Sequence, residues 1–477
     1  MLSGMSPEDA SPPQSLFDVK RPPEAELLPS VPDGFSLAAA GDCLTSRPLS
    51  AKIDADGAFE RAMQLVRRAS VATGNLETTI FDIGGFRGHP RTVDDWGLSA
   101  PPAVAEDLAA LGFRIMPRAN NHAVDWGIEG LRETTRWVDQ AGIAHAGTGE
   151  TLSIARAPCY AETPDARIGL VSAYTTHIWD NDAALDQFGK VPGRPGVNVL
   201  RWRRTITAPP ETIKVVEEVR RRLSPDSKEP KPGELSVFDT RFVTGEGIDV
   251  RYEADPDDLA GNLRSIRLGK QHSDLLLVSV HCHEDGKDAD TPPNFLVEFA
   301  HAAIEAGADV FFGHGVHRLW PVELYRGRPI LYGLGNFLFS DIQEPLHEAL
   351  YANGRALLTT AFGDPSKATD ADLSAILNAQ DFAGERFFES IVAEIIFQSG
   401  GAIIRLHPIE LGYGRPLTQS GIPRVPEPAA GESILLRVAA MSEPFGTTVS
   451  IRDGVGEVLP ARDVLPDRRS LGDRKEE

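Results

Sequence analysis

Only three cysteines, Cys43, Cys159 and Cys282, occur in 477 residues. They are too few and too scattered for a disulfide framework or a CxxC zinc site, and they fit a reducing compartment. No apolar run reaches the roughly 18 residues a membrane span needs, so a transmembrane helix is not expected. The N-terminus, MLSGMSPEDASPPQ, lacks the basic start and apolar stretch of a signal peptide, which makes the cytoplasm the expected location. Positive charge is also short: 48 Lys and Arg face 69 Asp and Glu, a net of −21. That balance argues against a nucleic-acid partner, and an acidic substrate would need local cations. What remains is an ordinary soluble composition, 41% hydrophobic and 25% charged, long enough for two or three domain-sized units.

Residues 1–33 are rich in Pro, Ser and Glu and read as a mobile lead-in, packed down at its end at most. Five later stretches share one format: FSLAAAGD (35–42), ASVATGNLE (69–77), GFRIMPRANNH (112–122), DLLLVSVHCHED (274–285) and ADVFFGHGVH (308–317). Each is a short apolar run, as in a buried strand, ending in Gly, Asp, Asn, Glu or His. Helix-like segments such as AFERAMQLVRRA, GIEGLRETTRWVDQAG and NFLVEFAHAAIEAG lie between them. This alternation predicts an α/β fold with a largely buried sheet, whose ligands gather at the carboxyl ends of the strands. All five polar endings are then expected on one rim.

Residues 178–270 break the rhythm with KVPGRPG, DSKEPKPGE and a charged helix candidate, and read as an inserted cap or flap within a domain spanning 34–345. Residues 346–460 read as an α/β completion of that domain. In it, IVAEIIFQSGGAIIRLHPIEL forms two strands joined at Gly-Gly, ESILLRVAAMSEPFG a helix and TTVSIRDG a last strand, before a frayed tail over 461–477.

The rim residues are Asp42, Asn75, Glu77, Asn120, Asn121, His122, His281, His283, His314 and His317. This mixed oxygen and imidazole set suits Mn, Fe or Zn better than Mg. It is sufficient for one ion, or for two sharing a carboxylate. His283 lies two positions after His281 and faces the same side of an extended chain, whereas Cys282 faces the other way into a core. Asp125 reads first as the N-cap of a helix beginning near Gly127, and second as the one acid near enough to orient His122. Asn120 reads equally well as a turn cap.

The layout resembles the CapA family, the poly-γ-glutamate capsule proteins, a branch of the calcineurin-like metallophosphoesterases. GHGVHRLWPVELYRGRPILYGLGNFLF (313–339) carries the resemblance furthest, joined by GDCLTSR (41–47), NLE (75–77), NNHAVDWG (120–127) and VSVHCHED (278–285). The resemblance implies a sandwich of β-sheets flanked by helices, with a cap-like insertion and a β-rich C-terminal portion. It also implies metal ligation by Asp42, Glu77 (the bridge), Asn121, His281, His314 and His317, with His122 as general acid. Asn75 and Asn336 would orient ligands or substrate, and Arg47 would hold an anionic group. Arg118 and Arg318 are further cations beside rim motifs, and Asn120 and His283 further substrate contacts.

Three departures stand out. Leu44 occupies a position where the wider superfamily has a ligating His. Ala123 follows His122 where an acid is common. His314-Gly315-Val316-His317 has one imidazole fewer than the usual His-His-Pro-His.

The expected activity is metal-dependent hydrolysis, in which a metal-held hydroxide attacks a phosphoester, or an amide or ester such as a γ-glutamyl linkage, in an acidic small molecule or peptide. The alternatives are a soluble accessory protein of poly-γ-glutamate synthesis or transport, and a metal-free binding module. Oligomeric state is open, a homo-oligomer included.

Overall fold

The computed structural model describes residues 28–53, 56–91, 97–177, 182–223, 235–238, 240–340 and 348–460. The tail expected from 461 lies outside them, as does the lead-in up to residue 27. The end of the lead-in is tied down, with Ser30 N and Oγ donating to Asp274 O and Oδ1, each at 2.9 Å.

Two large sheets form the molecule. Strands β1 (Ser36–Thr45) and β2 (Val71–Leu76) open the first sheet. Strands β3 (Arg167–His177), β4 (Val199–Ala208), β5 (Leu275–His281) and β6 (Val310–His314) run through the second. The chain then returns to the first with β7 (Asn336–Ser340), β8 (Glu389–Gln398), β9 (Gly401–Glu410), β10 (Thr447–Arg452) and β11 (Val455–Pro460). The first sheet has the order β7-β1-β8-β9-β11-β10, with β2 along β1, and the second has β4-β3-β5-β6 at its centre, all parallel.

Residues alternating along the strands feed different cores, the consequence of a two-residue side-chain period. Leu37 and Ala39 of β1 meet Leu275 and Leu277 of β5 and Phe312 of β6 between the sheets. Ala38 and Ala40 turn outward, beneath helices α1 (Gly57–Arg67) and α2 (Ala103–Leu111). Leu276, Val278 and Val280 turn the other way, toward helices α4 (Pro256–Gln271) and α5 (Asn294–Ala306), which lie beyond α3 (Gly127–Gln140) in the chain. The layers are therefore helix, sheet, sheet, helix, the sandwich the resemblance implies. Among the described residues no helix is long and apolar enough to cross a membrane.

Three expectations change. The five rim strands do not share one sheet: β1 and β2 are in the first, β5 and β6 in the second, and Ile115–Pro117 pairs with Ala144–Ala146 in a small ribbon. Their polar ends still converge, because both sheets turn one face to the same inner core. Strands within 178–270 extend the second sheet rather than forming a separate cap: β4 pairs with β3, and Ile266 of α4 lies in the outer core. TTVSIRDG is not the last strand, since Asp453 and Gly454, both at positive φ, turn the chain back into β11.

Candidate metal centre

Asp42 reaches the gap between the sheets through an irregularity in β1. The pairing of β1 with β2 slips between Ala39 and Asp42, and that with β7 slips between Asp42 and Cys43. Cys43 and Leu44 rejoin the outer core, and Asp42 is released from the outward phase set by Ala38 and Ala40. Re-aiming one side chain is the usual structural effect of such a bulge. Gly41 makes it feasible, because a Cβ there would lie 1.9 Å from Gly335 O.

On β5 the inward phase of Leu275 and Leu277 continues through Ser279 to His281, and on β6 that of Phe312 continues to His314. His317 follows in a turn with φ 55, a rare conformation for a non-glycine residue and one found at functional sites. Gly315 (φ 96) lets this turn pass the His281 ring, where a Cβ would lie 2.9 Å from Nε2.

The side chains converge on Asn75, which shares a register position with Asp42. Asn75 Nδ2 donates to Asp42 Oδ1 at 2.8 Å and lies 3.3 Å from Glu77 Oε2 and 3.1 Å from His281 Nδ1. Asp42 Oδ2 accepts from Gly315 N at 3.1 Å and lies 3.5 Å from His317 Nδ1. Two ligand-type groups result, Asp42 with Glu77 and His281, and Glu77 with His283 and His317. Glu77 belongs to both. His283, expected as a substrate contact, stands with the ligands, its Nε2 3.0 Å from that of His281.

The charges and the unmet hydrogen bonds fit a cation. Asp42, Glu77, His281 and His314 are each no more than 2% exposed. Burial pushes the Asp42 carboxyl up, but contacts from His314 and His317 outweigh it and hold it well below the ordinary range. Burial and the adjacent Asp42 charge push Glu77 well above its ordinary range. Burial and the neighbouring His283 push His281 well below its usual value, which favours the neutral, ligating imidazole. Glu77 Oε1, His314 Nε2 and Asn121 Oδ1 are buried without a hydrogen-bond partner among the described residues. Orphaned acceptors around two carboxylates are what a divalent ion satisfies.

Beside the ligand groups, His122 Nδ1 lies 2.7 Å from Asp125 Oδ2, which also accepts from Leu98 N at 2.9 Å. Asp125 does not cap α3: the N-cap position is Trp126, and no side chain caps it. Asn120 is fully buried rather than open to a ligand, donating to Asn75 Oδ1 and Leu76 O and accepting from His122 N. It ties the His122 loop to Asn75.

The expected cations lie differently. Arg118 is buried, with its guanidinium turned to Thr135 Oγ1 and Leu131 O of α3, and burial lowers its pKa to about 10. Arg318 pairs with Asp285 and donates to Ala289 O. Arg47 donates to Ser340 Oγ and Thr418 O and lines a cavity of about 350 Å³ with Phe81, Asp82 and Pro101. Asn336 Oδ1 lies 2.9 Å from His317 Nδ1 and its Nδ2 donates to Phe387 O, so Asn336 orients a ligand-type histidine. The donors Gly315 N and Leu98 N carry no signal in the sequence, because only proximity in space reveals a backbone donor.

Several known proteins are similar to this chain in sequence. Two uncharacterized proteins of Sinorhizobium fredii, y4sH and y4uA, are each 38% identical over 90% of this chain and 93% of their own. A probable polyglutamine synthesis accessory protein of Mycobacterium tuberculosis is 28% identical over 60% of each chain. The PGA biosynthesis protein CapA of Bacillus subtilis is 22% identical over 65% of this chain and 64% of its own. Residues 36–341, from the start of β1 to just past β7, match the profile of the bacterial capsule synthesis protein PGA_cap, and the chain belongs to that family.

Proposed function

We propose that the protein is a metal-dependent hydrolase acting on an acidic substrate, cleaving a phosphoester or an amide such as a γ-glutamyl linkage. The observation that carries this reading is the pair of ligand-type groups sharing Glu77, beside the His122–Asp125 couple. Asp42, Glu77 and His281 would hold one ion and Glu77, His283 and His317 a second, with Asn121 and His314 offering further donors. A bound divalent transition ion, Mn, Fe or Zn, supplies Lewis acidity and makes water a nucleophile near neutral pH. The Asp125 carboxylate accepts a hydrogen bond from Nδ1–H of His122, which orients the ring, stabilises its protonated form and leaves the Nε2 proton to be delivered to the leaving group. Asn75 and Asn336 hold the ligand side chains in register, and Arg47 is the candidate contact for a substrate anion.

A second reading is an accessory role in poly-γ-glutamate synthesis without hydrolysis, favoured by the names of the Mycobacterium and Bacillus relatives. Elemental analysis of protein purified without added metal, beside an Asp42→Ala/His317→Ala variant, is the first test. Near-stoichiometric Mn, Fe or Zn that disappears in the variant, followed by turnover of a phosphoester or γ-glutamyl amide, supports the hydrolase. No metal after soaking and desalting would remove it. Metal without turnover on either panel favours the accessory role.

A further inference from the structure

Glu284 follows His281, the last residue of β5, and His283, and is outside every role assigned so far. Its carboxylate is fully engaged by partners from three segments. Oε1 accepts from Trp202 Nε1 of β4 at 2.9 Å. Oε2 lies 2.6 Å from Thr175 Oγ1 of β3 and 3.2 Å from Cys282 Sγ. The Thr175 hydroxyl is also 3.2 Å from His281 O, and its single proton serves the nearer carboxylate oxygen. Cys282 is itself anchored, since its N donates to His314 O at 2.8 Å and its side chain is in the outer core.

His283 needs such an anchor. β5 ends at His281, and the last bond from its neighbour β6 is the one His314 O accepts from Cys282 N, so the strand pairing stops short of His283. His283 is exposed, whereas His281 and His317 are buried. Its Nε2 nevertheless sits 3.0 Å from that of His281, within the group formed with Glu77 and His317. Cys282 points outward on one side of His283, and Glu284 is clamped on the other. Between those two fixed points the His283 side chain is left facing the centre.

We propose that Glu284 is a positioning residue that fixes His283 as a ligand of the second ion, working through Thr175 and Trp202. This rests on the metal reading above and deepens it. It also gives β4, in the segment expected to be a cap, a role at the centre: through Trp202 it holds the chain that carries a ligand.

The test is titration of the demetallated full chain with Mn(II), counting ions and their affinities, with the thermal midpoint recorded alongside. The wild type is expected to take two ions. Glu284→Ala should retain the first and bind the second at least about 10-fold more weakly, the usual scale for loss of a residue supporting a ligand. Glu284→Gln should restore wild-type behaviour, because its amide can accept from Trp202 and donate to Thr175. Should Glu284→Ala not fold, Trp202→Phe decides: a weakened second ion supports the proposal and an unchanged one overturns it. Two ions bound as tightly by Glu284→Ala as by the wild type would overturn the proposal alone. So would loss of both ions to the same degree, or a wild type that takes only one. A wild type that takes none would remove the metal reading as well.

Discussion

At the scale of the residue, the chemistry turns on atoms whose identity is plain in the sequence and whose partners are not. His122 was legible as the expected proton donor, whereas Asp125 read first as a helix cap and its carboxylate instead lies 2.7 Å from His122 Nδ1. Replacing His122 with Ala should lower turnover about 10²- to 10⁴-fold, the range for a general acid, with bound metal unchanged. Steady-state kinetics paired with elemental analysis checks this, and metal loss in the variant would contradict the assignment. Gly315 makes a second test. Ala there faces both the positive φ and a Cβ 2.9 Å from the His281 ring, so Gly315→Ala should cost about 1–3 kcal/mol and weaken metal binding. Urea unfolding measures the first effect and metal titration the second. No inspection of the string GHGVH shows that this glycine is set by a histidine 34 positions earlier, since the conflict exists only once β5 and β6 lie side by side.

At the scale of the element, local rules account for much of what was legible. Helix α1 follows from Asp56, whose carboxylate accepts from Ala58 N and Phe59 N, and from Phe59, Ala62, Met63 and Val66 at helical spacing on the buried face. Asp56→Ala should cost about 1 kcal/mol of stability. Slight burial raises the Asp56 pKa, but the bonds to Phe59 and Ala58 N–H and the charge of Arg424 lower it more. A lowered folded-state pKa means the carboxylate's contribution is present above about pH 4 and is lost as pH falls through the folded value. The gap between wild type and Asp56→Ala should therefore close in acid, as unfolding curves at pH 6 and pH 3 would reveal. Strand β1 was equally legible, but its bulge was not, because a slip in register is a relation among three strands. Gly41→Ala would drive a methyl into Gly335 O, and the expected result is separation of β1 from β7 with loss of metal binding. A variant that kept full metal content and stability would refute that account of the glycine.

At the scale of the whole molecule, ligand-type residues from both sheets and from the loop after Ile115–Pro117 come together between the layers. An ion held by Asp42, Glu77 and His281 would join β1 and the end of β2 in the first sheet to β5 in the second, a set of ligands that only the folded chain brings together. Ion at about 100 times its Kd adds about 2.7 kcal/mol to the stability of such a protein, so a chelator should lower the melting temperature and added Mn or Zn restore it. Calorimetry with and without chelator measures the shift, and an unchanged melting temperature would count against a site built across the sheets. The sequence alone determined the α/β class, the order of the strands, the residue types of the centre and the kinship with the capsule synthesis proteins. These depend on local periodicity and on motifs that stay contiguous along the chain. Tertiary structure decided that there are two sheets rather than one, that residues 199–208 are a strand of the second with helix 256–271 packed on it, and that Arg118 and Asn120 are buried supports. It also decided that His283, expected as a substrate contact, stands in one group with Glu77 and His317. The physical reason is the same in each case. A strand's pattern states which of its faces is buried, but the partner that buries it is chosen by packing between segments far apart in the chain.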